Sequence, residues 1–211
     1  MHAKNDDLHG NVPDEARVAL LLIDLINDFE YPGGAELFVQ AMPTGERIVA
    51  LKRQARREGI PVIYVNDNFG KWRSDFRRLV AHCLEGDVRG KPLAELLRPE
   101  EEDYFVLKPK HSAFFSTTLE LLLQYLKANT LILTGISGDM CVLFTASDAY
   151  MRDFHLVVPS DCVASIEPEV NCLALEQMRR LFEADIRPSS ELDLAALKQR
   201  AHMGYGSSMR V

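Results

Sequence analysis

Short runs of nearly continuous apolar residues alternate along this chain with longer segments of helical periodicity. The runs predict strands at Val18–Asp24, Pro61–Asn66, Tyr104–Lys108, Thr130–Gly135, His155–Pro159 and Ala184–Arg187. The periodic segments predict helices near Thr44–Glu58, Asp75–Cys83, Thr118–Lys127, Gly138–Arg152 and Pro168–Glu183. Apolar strands separated by helices are typical of a parallel sheet that is covered on both faces. We therefore predict an α/β protein with three α/β/α layers, doubly wound, around a parallel sheet of about six strands.

The length of the chain, 211 residues, suits one domain with a substantial buried core. No internal repeat, low-complexity segment or domain linker interrupts the sequence. We expect a single domain over residues 1–211, with its core at about residues 16–190. Residues 1–15 and the segment Gly204–Ser208 are predicted to be mobile arms or contacts to a neighbouring subunit.

The formal charge of −7 argues against a nucleic-acid partner or a membrane surface, because both require a basic face on the protein. The first residues lack the apolar run of a signal peptide, and no apolar segment approaches the length of a bilayer span. The cysteines Cys83, Cys141, Cys162 and Cys172 show no CxxC spacing. We interpret them as free thiols in a reducing compartment and expect the cytoplasm.

Three reactive side chains fall at or just past the carboxyl ends of predicted strands. Asp24 closes the first strand, Lys108 closes the third, and Cys141 follows the fourth by one short turn. In an open parallel sheet, ligands bind beyond these ends, where the winding changes direction. Taken singly, the three residues suit a turn cap, a solvated strand end and a small core residue. An acid, a cation and a thiol together predict a catalytic site.

The chemistry that these residues predict is nucleophilic attack by a cysteine. A thiol reacts as its thiolate, and its ordinary pKa of about 8.5 falls near a helix N-terminus and a cation. Cys141 lies in the first turn of a predicted helix, and Lys108 supplies the cation. Asp24 is placed to take the thiol proton and to return it to a leaving amine. Backbone N–H groups of the segment Gly135–Cys141 are predicted to stabilise the oxyanion of a tetrahedral intermediate.

Four segments carry a resemblance to a known group of enzymes. They are Leu22–Phe29 (LIDLINDF), Lys108–Phe114 (KPKHSAF), Leu133–Val142 (LTGISGDMCV) and Pro159–Ser165 (PSDCVAS). In this order they resemble the isochorismatase-like cysteine hydrolase superfamily, which includes nicotinamidases, carbamoylsarcosine amidases and ureidoacrylate hydrolases. The resemblance covers about Val18 to Asp185 and implies the Rossmann-like fold of that superfamily.

The resemblance assigns roles to particular residues. The Asp–Lys–Cys triad of the superfamily maps onto Asp24, Lys108 and Cys141. Lys110 is a rival, but the catalytic lysine of the superfamily ends the strand directly, which selects Lys108. The resemblance also implies a non-proline cis peptide bond between Ile136 and Ser137, with the N–H groups of Ser137 and Cys141 facing the oxyanion. A homo-oligomer, either a dimer or a tetramer, is expected on the same ground.

The sequence departs from the metal-dependent nicotinamidases, which carry an aspartate and histidines after the second strand. Residues 66–72 read NDNFGKW, without a histidine. Asp67 alone is a poor transition-metal site, and we expect it to be an exposed loop acid. No catalytic metal and no cofactor is therefore predicted. The resemblance also implies that true isochorismatases cleave a vinyl ether without a nucleophilic cysteine, so Cys141 favours amide chemistry.

Residues in loops after the strand ends are candidates for a substrate pocket, since such loops line the pocket in this architecture. We predict that Phe29, Asn68, Trp72 and Phe114 contribute to it, with core packing or a subunit contact as the alternative for each. His111 follows the lysine closely and is assigned no catalytic role.

The function predicted from the sequence is cysteine-dependent hydrolysis of a small amide, carbamoyl or ureido compound. A serine nucleophile at Ser137 is disfavoured, because the nucleophile-elbow pattern requires glycine where this chain has Asp139. Two alternatives stay open. One is vinyl-ether hydrolysis without covalent catalysis, and the other is a binding protein of the same fold without activity.

Overall fold

The structure, a computed structural model, describes residues 16–70 and 75–203 of the chain. The strands are β1 (Val18–Ile23), β2 (Val62–Asp67), β3 (Tyr104–Lys108), β4 (Thr130–Ile136), β5 (His155–Val157) and β6 (Val163–Ala164). The helices are α1 (Gly34–Arg57), α2 (Phe76–Glu85), α3 (Lys91–Leu96), α4 (Leu119–Tyr125), α5 (Leu143–Tyr150), α6 (Pro168–Leu181) and α7 (Leu194–Met203). A π-helical turn, Gly138–Val142, joins β4 to α5, and 3₁₀ turns lie at Ser160–Cys162 and Ser189–Glu191.

The six strands form one parallel sheet, which confirms the predicted fold class. Their order is β3-β2-β1-β4-β5, and β6 pairs with the carboxyl end of β4. The chain therefore winds outward from β1 in one direction and then, from β4 onward, in the other. A sheet of this kind opens a crevice at the carboxyl ends of the two strands on either side of the reversal. Here those strands are β1 and β4, which are followed by Asp24 and, after a turn, by Cys141.

Alternate residues of the central strands point to opposite faces, and each face has its own buried cluster. Leu20 and Leu22 of β1 pack with apolar side chains of α1, α2, α3 and α7. Leu21 and Ile23 pack on the other side with side chains of α4, α5 and α6. This division produces the three layers that the sequence predicted.

Helix α1 begins at Gly34, well before the predicted start at Thr44, and contains Pro43. The buried residues Leu37 and Ala41 continue the apolar face that Ile48 forms further along the helix. A proline inside a helix removes one backbone hydrogen bond. Burial of this continuous apolar face against the sheet outweighs that loss, so proline does not mark the start of the helix.

The carboxyl-terminal third of the fold differs from the prediction in three places. The predicted strand Ala184–Arg187 is reduced to a single bridge between Asp185 and Val157, and the sixth strand is instead β6. The predicted helix Gly138–Arg152 divides into the π-helical turn and α5. Helix α7, which was not predicted, contributes Leu194, Leu197 and Ala201 to the buried cluster. The core therefore extends beyond residue 190, whereas the predicted arms lie outside the described residues.

Candidate active site

Asp24, Lys108 and Cys141, which are far apart in the sequence, meet at the carboxyl edge of the sheet. The side chain of Lys108 is fully buried, and its Nζ lies 2.9 Å from Oδ2 of Asp24. The same nitrogen lies 3.4 Å from Sγ of Cys141. Cys141 is partly buried as a residue, whereas Asp24 and Lys108 are buried. The arrangement places a carboxylate, an ammonium and a thiol in mutual contact.

The carboxylate of Asp24 is held in position by hydrogen bonds that involve both its backbone and its side chain. Its backbone N–H donates to the carbonyl of Val65 over 2.8 Å, and its Oδ1 accepts the N–H of Asp67 over 2.7 Å. The residue adopts a left-handed conformation with a φ of 55°, which aspartate tolerates better than most residues. Asp24 thus leaves β1 with its carboxylate directed to Lys108 rather than to solvent.

The turn that carries Cys141 is fixed by hydrogen bonds within it and by one to Ser165. The N–H groups of Met140 and Val142 both donate to the carbonyl of Ser137, over 3.2 and 3.1 Å. The N–H of Asp139 donates to Oγ of Ser165 over 3.1 Å, and the Ser137 hydroxyl donates to the Asp139 carboxylate. The peptide bond that enters this turn, between Ile136 and Ser137, is cis.

The electrostatics of the thiol differ from the prediction. Burial and the neighbouring Asp24 carboxylate raise the pKa of Cys141 to about 12, against the opposing effect of Lys108. A lowered pKa was predicted because a cation and a helix start lie near the sulfur. That prediction is wrong, because a thiolate here would be partly desolvated and would lie beside a second anion. The charge balance around the sulfur thus disfavours the thiolate in the free protein.

The two partners of the thiol form a buried ion pair. Burial raises the pKa of Asp24 above its ordinary value, and the charge of Lys108 opposes this shift. Burial alone would lower the pKa of Lys108, but the anions around it, Asp24 foremost, raise the value overall. Lys108 is therefore an ammonium at neutral pH, and its charge depends on the acids that surround it.

Two residues predicted to line the pocket belong to the core instead. Phe29 is fully buried, and its ring lies 6.4 Å from that of Tyr31 and 5.3 Å from that of Phe38. Phe114 is 5% exposed, with its ring 6.0 Å from that of Phe154. Both rings turn inward after their strands and fill the interior, so a ligand cannot reach them. The pocket prediction is wrong for these two residues.

A cavity of about 340 Å³ adjoins the triad at the carboxyl ends of β2 and β3. Its walls include Tyr31, Asp67, Asn68, Phe69, His82 and Leu107. Asn68 thus lies where the pocket was predicted, whereas Trp72 lies outside the described residues. Asp67 belongs both to the wall of this cavity and to the surroundings of Lys108.

A larger cavity, of about 660 Å³, lies at the opposite edge of the sheet. It is lined by Pro61, Val62 and Tyr104, which stand at the amino ends of β2 and β3. Size therefore does not identify the site in this protein. The smaller cavity lies at the carboxyl edge of the sheet, where ligands of open α/β sheets bind. It shares Asp67 with the surroundings of Lys108, although Asp24, Lys108 and Cys141 are not among its lining residues.

Two residues of the site were not recognised in the sequence. Asp67 ends β2 and extends Oδ2 to within 3.5 Å of Lys108, so the interpretation as an exposed loop acid is wrong. The predicted strand ended one residue earlier, at Asn66, so the pairing of Asp67 with Lys108 was not predicted. His111 is exposed, and its Nδ1 lies 3.9 Å from Sγ of Cys141. Its short distance in sequence from Lys108 was the available signal.

Within residues 16–70 and 75–203, no group of three or more histidine, cysteine, aspartate or glutamate side chains is arranged to hold a metal ion. In the same part of the chain, no helix combines the length and the apolar character that crossing a membrane requires.

Comparison with known proteins identifies the family. A family model described as the isochorismatase domain matches residues 18–187. The chain belongs to the isochorismatase family. An uncharacterized isochorismatase family protein of Bacillus subtilis (strain 168), YaaI, is 40% identical over 84% of this chain and 97% of its own length. The family fold is also present in solved structures.

Two solved structures illustrate how closely this isochorismatase-family chain follows its relatives. An isochorismatase family protein from Desulfovibrio vulgaris has a TM-score of 0.69 and 30% identity, covering 88% of this chain and 100% of its own. An N-carbamoylsarcosine amidase from Thermoplasma acidophilum has a TM-score of 0.63 and 28% identity, covering 84% and 99%. The isochorismatase-family relatives thus include hydrolases of amide-type bonds.

Proposed function

We propose that this isochorismatase-family protein hydrolyses a carbon–nitrogen bond of a small amide, carbamoyl or ureido compound through a covalent intermediate on Cys141. The observation that carries the proposal is the contact of Lys108 with both Asp24 and Cys141. A cation between an acid and a thiol serves no evident packing purpose in a buried site, whereas it suits nucleophilic catalysis. The amidase among the solved relatives supports the same bond type.

In the first half-reaction, Asp24 takes the proton of the Cys141 thiol while the sulfur attacks the substrate carbonyl carbon. The carbonyl oxygen becomes an oxyanion, for which the backbone N–H groups of Ser137 and Cys141 are the proposed donors. When the intermediate collapses, the carbon–nitrogen bond breaks and Asp24 returns the proton to the leaving nitrogen. Ammonia or an amine departs and a thioester or thiocarbamate remains.

In the second half-reaction, water replaces the departed amine. Asp24 takes a proton from the water as its oxygen attacks the carbonyl carbon of the thioester. The carbon–sulfur bond then breaks, the acid product leaves, and the proton on Asp24 returns to the sulfur. Lys108 remains an ammonium throughout and offsets the negative charge that passes between Asp24, Cys141 and the oxyanion.

The raised pKa of Cys141 supports a concerted role for Asp24 rather than a stored thiolate. A thiol with a pKa of about 12 attacks efficiently only when a base removes its proton during the reaction. The only carboxylate in contact with the sulfur among the described residues is that of Asp24. The proposal therefore makes Asp24 as necessary as the nucleophile itself.

The test is an ammonia-release screen across small amides, carbamoyl compounds and ureas, with Cys141→Ala as the blank. Turnover by the native chain and none by Cys141→Ala is expected, together with an acyl adduct on Cys141 in rapidly quenched mass spectra. Activity that Cys141→Ala retains would favour vinyl-ether hydrolysis without covalent catalysis. Binding of these compounds without turnover would favour a binding protein.

The assembly and the compartment are part of the same proposal. A reducing cytoplasm suits a nucleophilic thiol, because oxidation of the sulfur would abolish attack. A homo-oligomer, dimer or tetramer, is proposed on the resemblance alone, and sedimentation of the full chain measures it.

A further inference from the structure

The ammonium group of Lys108 has three N–H bonds and three partners. Its Nζ lies 2.9 Å from Asp24, 3.4 Å from Cys141 and 3.5 Å from Oδ2 of Asp67. The proposed mechanism uses only the first two partners. Lys108 is fully buried, so solvent does not share its ammonium with these three partners.

Asp67 forms a hydrogen bond with Asp24 and an ion pair with Lys108. Its backbone N–H donates to Oδ1 of Asp24 over 2.7 Å, while its side chain reaches Lys108. In the sheet, Asp67 of β2 lies directly opposite Lys108 of β3. The residue therefore contacts the general base through its main chain and the cation through its carboxylate.

The proposed reaction changes the charge around Lys108. When Asp24 takes the thiol proton it becomes neutral, and it no longer offsets the charge of the buried ammonium. A buried lysine without an anion loses its proton readily, because desolvation disfavours the charged form. Asp67 exchanges no proton in either half-reaction, so its carboxylate stays beside Lys108 while Asp24 is neutral.

We propose that Asp67 is a positioning residue that keeps Lys108 protonated and oriented toward Cys141 and the oxyanion while Asp24 holds the transferred proton. The inference rests on the proposed function, because it assigns Asp67 a task within that reaction. The structural contacts of Asp67 are its main-chain N–H to Asp24 and the Phe69 N–H that its Oδ1 accepts over 2.6 Å. Neither requires a charged side chain, since an amide oxygen also accepts a hydrogen bond.

The test uses Asp67→Asn, which removes the charge but retains the size of the side chain and the backbone N–H. We expect kcat to fall by about 10- to 100-fold. We also expect the alkaline limb of the kcat profile, where Lys108 loses its proton, to move to lower pH. Asp67→Glu restores the charge and should recover most of both quantities.

The control Asp153→Asn removes one negative charge at an exposed left-handed position far from the site, which asparagine also tolerates. Its kcat and alkaline limb should match those of the native chain. The other titratable groups near Lys108 and Asp67 are the same in all these variants, so they affect the profiles equally. These groups are Asp24, Cys141, His111, Asp28, Glu30, Tyr31, Arg78 and His82.

A measurement without turnover separates this inference from the proposed function. Titration of Lys108 by ¹⁵N-lysine NMR, assigned with Lys108→Met, should give a lower midpoint in Asp67→Asn and a nearly native one in Asp67→Glu. Equal midpoints in native protein and Asp67→Asn would overturn the inference, as would an unchanged alkaline limb. Retained hydrolysis in Cys141→Ala would instead defeat the proposed function, whatever the lysine titration shows.

Discussion

The sulfur of Cys141 lies 3.4 Å from the ammonium of Lys108, yet its surroundings raise its pKa instead of lowering it. Burial and the carboxylate of Asp24 outweigh the cation and raise the pKa of the thiol to about 12. The site thus differs from cysteine enzymes that store a thiolate–cation pair before substrate arrives. The proposed mechanism requires proton transfer to Asp24 during attack, and this requirement can be measured.

Replacement of Asp24 by asparagine should abolish hydrolysis but accelerate alkylation of Cys141. The change removes a negative charge that raises the pKa of the thiol, while Lys108, which lowers it, remains. At pH 8 we expect iodoacetamide to react about 3- to 10-fold faster with Cys141 in Asp24→Asn. Peptide mass spectrometry resolves the site of labelling.

The exposed Cys172 provides an internal reference in the same experiment, because its labelling should not change. Lys108→Met should shift the alkylation of Cys141 in the opposite direction, toward slower reaction. Slower alkylation in Asp24→Asn than in the native chain would contradict the charge balance described here.

The apparent pKa of the acid limb of the kcat/KM profile should lie above the ordinary pKa range of an aspartate. Burial raises the pKa of Asp24 from its usual 3.8, with Lys108 in opposition. Below that raised pKa, Asp24 carries its own proton and cannot accept that of the thiol, so activity falls as the pH falls. A pH–rate profile, with circular dichroism at each pH to verify folding, measures the limb. Full activity in folded protein at pH 3.8 is the contrary result.

Gly135→Ala should destabilise the fold next to the site. Gly135 has a φ of 121°, and a Cβ there would lie 2.1 Å from the carbonyl oxygen of Ile23. We expect a loss of about 2–5 kcal/mol in the free energy of unfolding, from backbone strain and from the clash. Urea denaturation measures the loss.

Gly59→Ala is the matched control for Gly135→Ala. Gly59 also has a positive φ, of 63°, but nothing lies within 4 Å of a Cβ built there. Only the backbone strain remains, so a loss of about 1–2 kcal/mol in the free energy of unfolding is expected. Equal losses at the two glycines would show that the close approach of β4 to β1 is unimportant.

Lys52→Met should lower stability without lowering kcat. Lys52 is buried, with Nζ 2.9 Å from Oδ2 of Asp103 and 2.9 Å from the hydroxyl of Tyr64. Removal of the ammonium leaves the buried Asp103 with Arg56 as its remaining charged partner, which costs about 2–4 kcal/mol. Asp103 precedes β3, at the opposite edge of the sheet from the triad. Thermal unfolding and steady-state kinetics of the same preparation separate the two effects.

The triad could be predicted from the sequence because it depends on strand ends, which apolar runs reveal. Asp24 and Lys108 terminate such runs directly, and Cys141 follows one after a short turn. The contact of Asp67 with Lys108 was missed because the predicted strand ended at Asn66, whereas β2 includes Asp67 as its last residue. Strand boundaries are the part of a sequence-based prediction that local pattern determines least.

Side-chain direction and protonation could not be read from the sequence. Phe29 has a backbone φ of 57° and is fully buried, and apolar pattern in the sequence indicates neither property. The pKa of Cys141 depends on burial and on the neighbouring Asp24, whereas the prediction from sequence considered only the cation and the helix start. Both quantities arise from tertiary structure.

The sheet register places Asp67 beside Lys108, and Ile23 beside both Val65 and Gly135. This register limits how related sequences can diverge. Adding or deleting one residue within a strand would rotate every later side chain of that strand to the other face. Gaps in alignments of functioning relatives should therefore fall in the connections between strands and helices. Changes in those connections can alter which molecule binds. Constant spacing within the strands keeps the reactive side chains together.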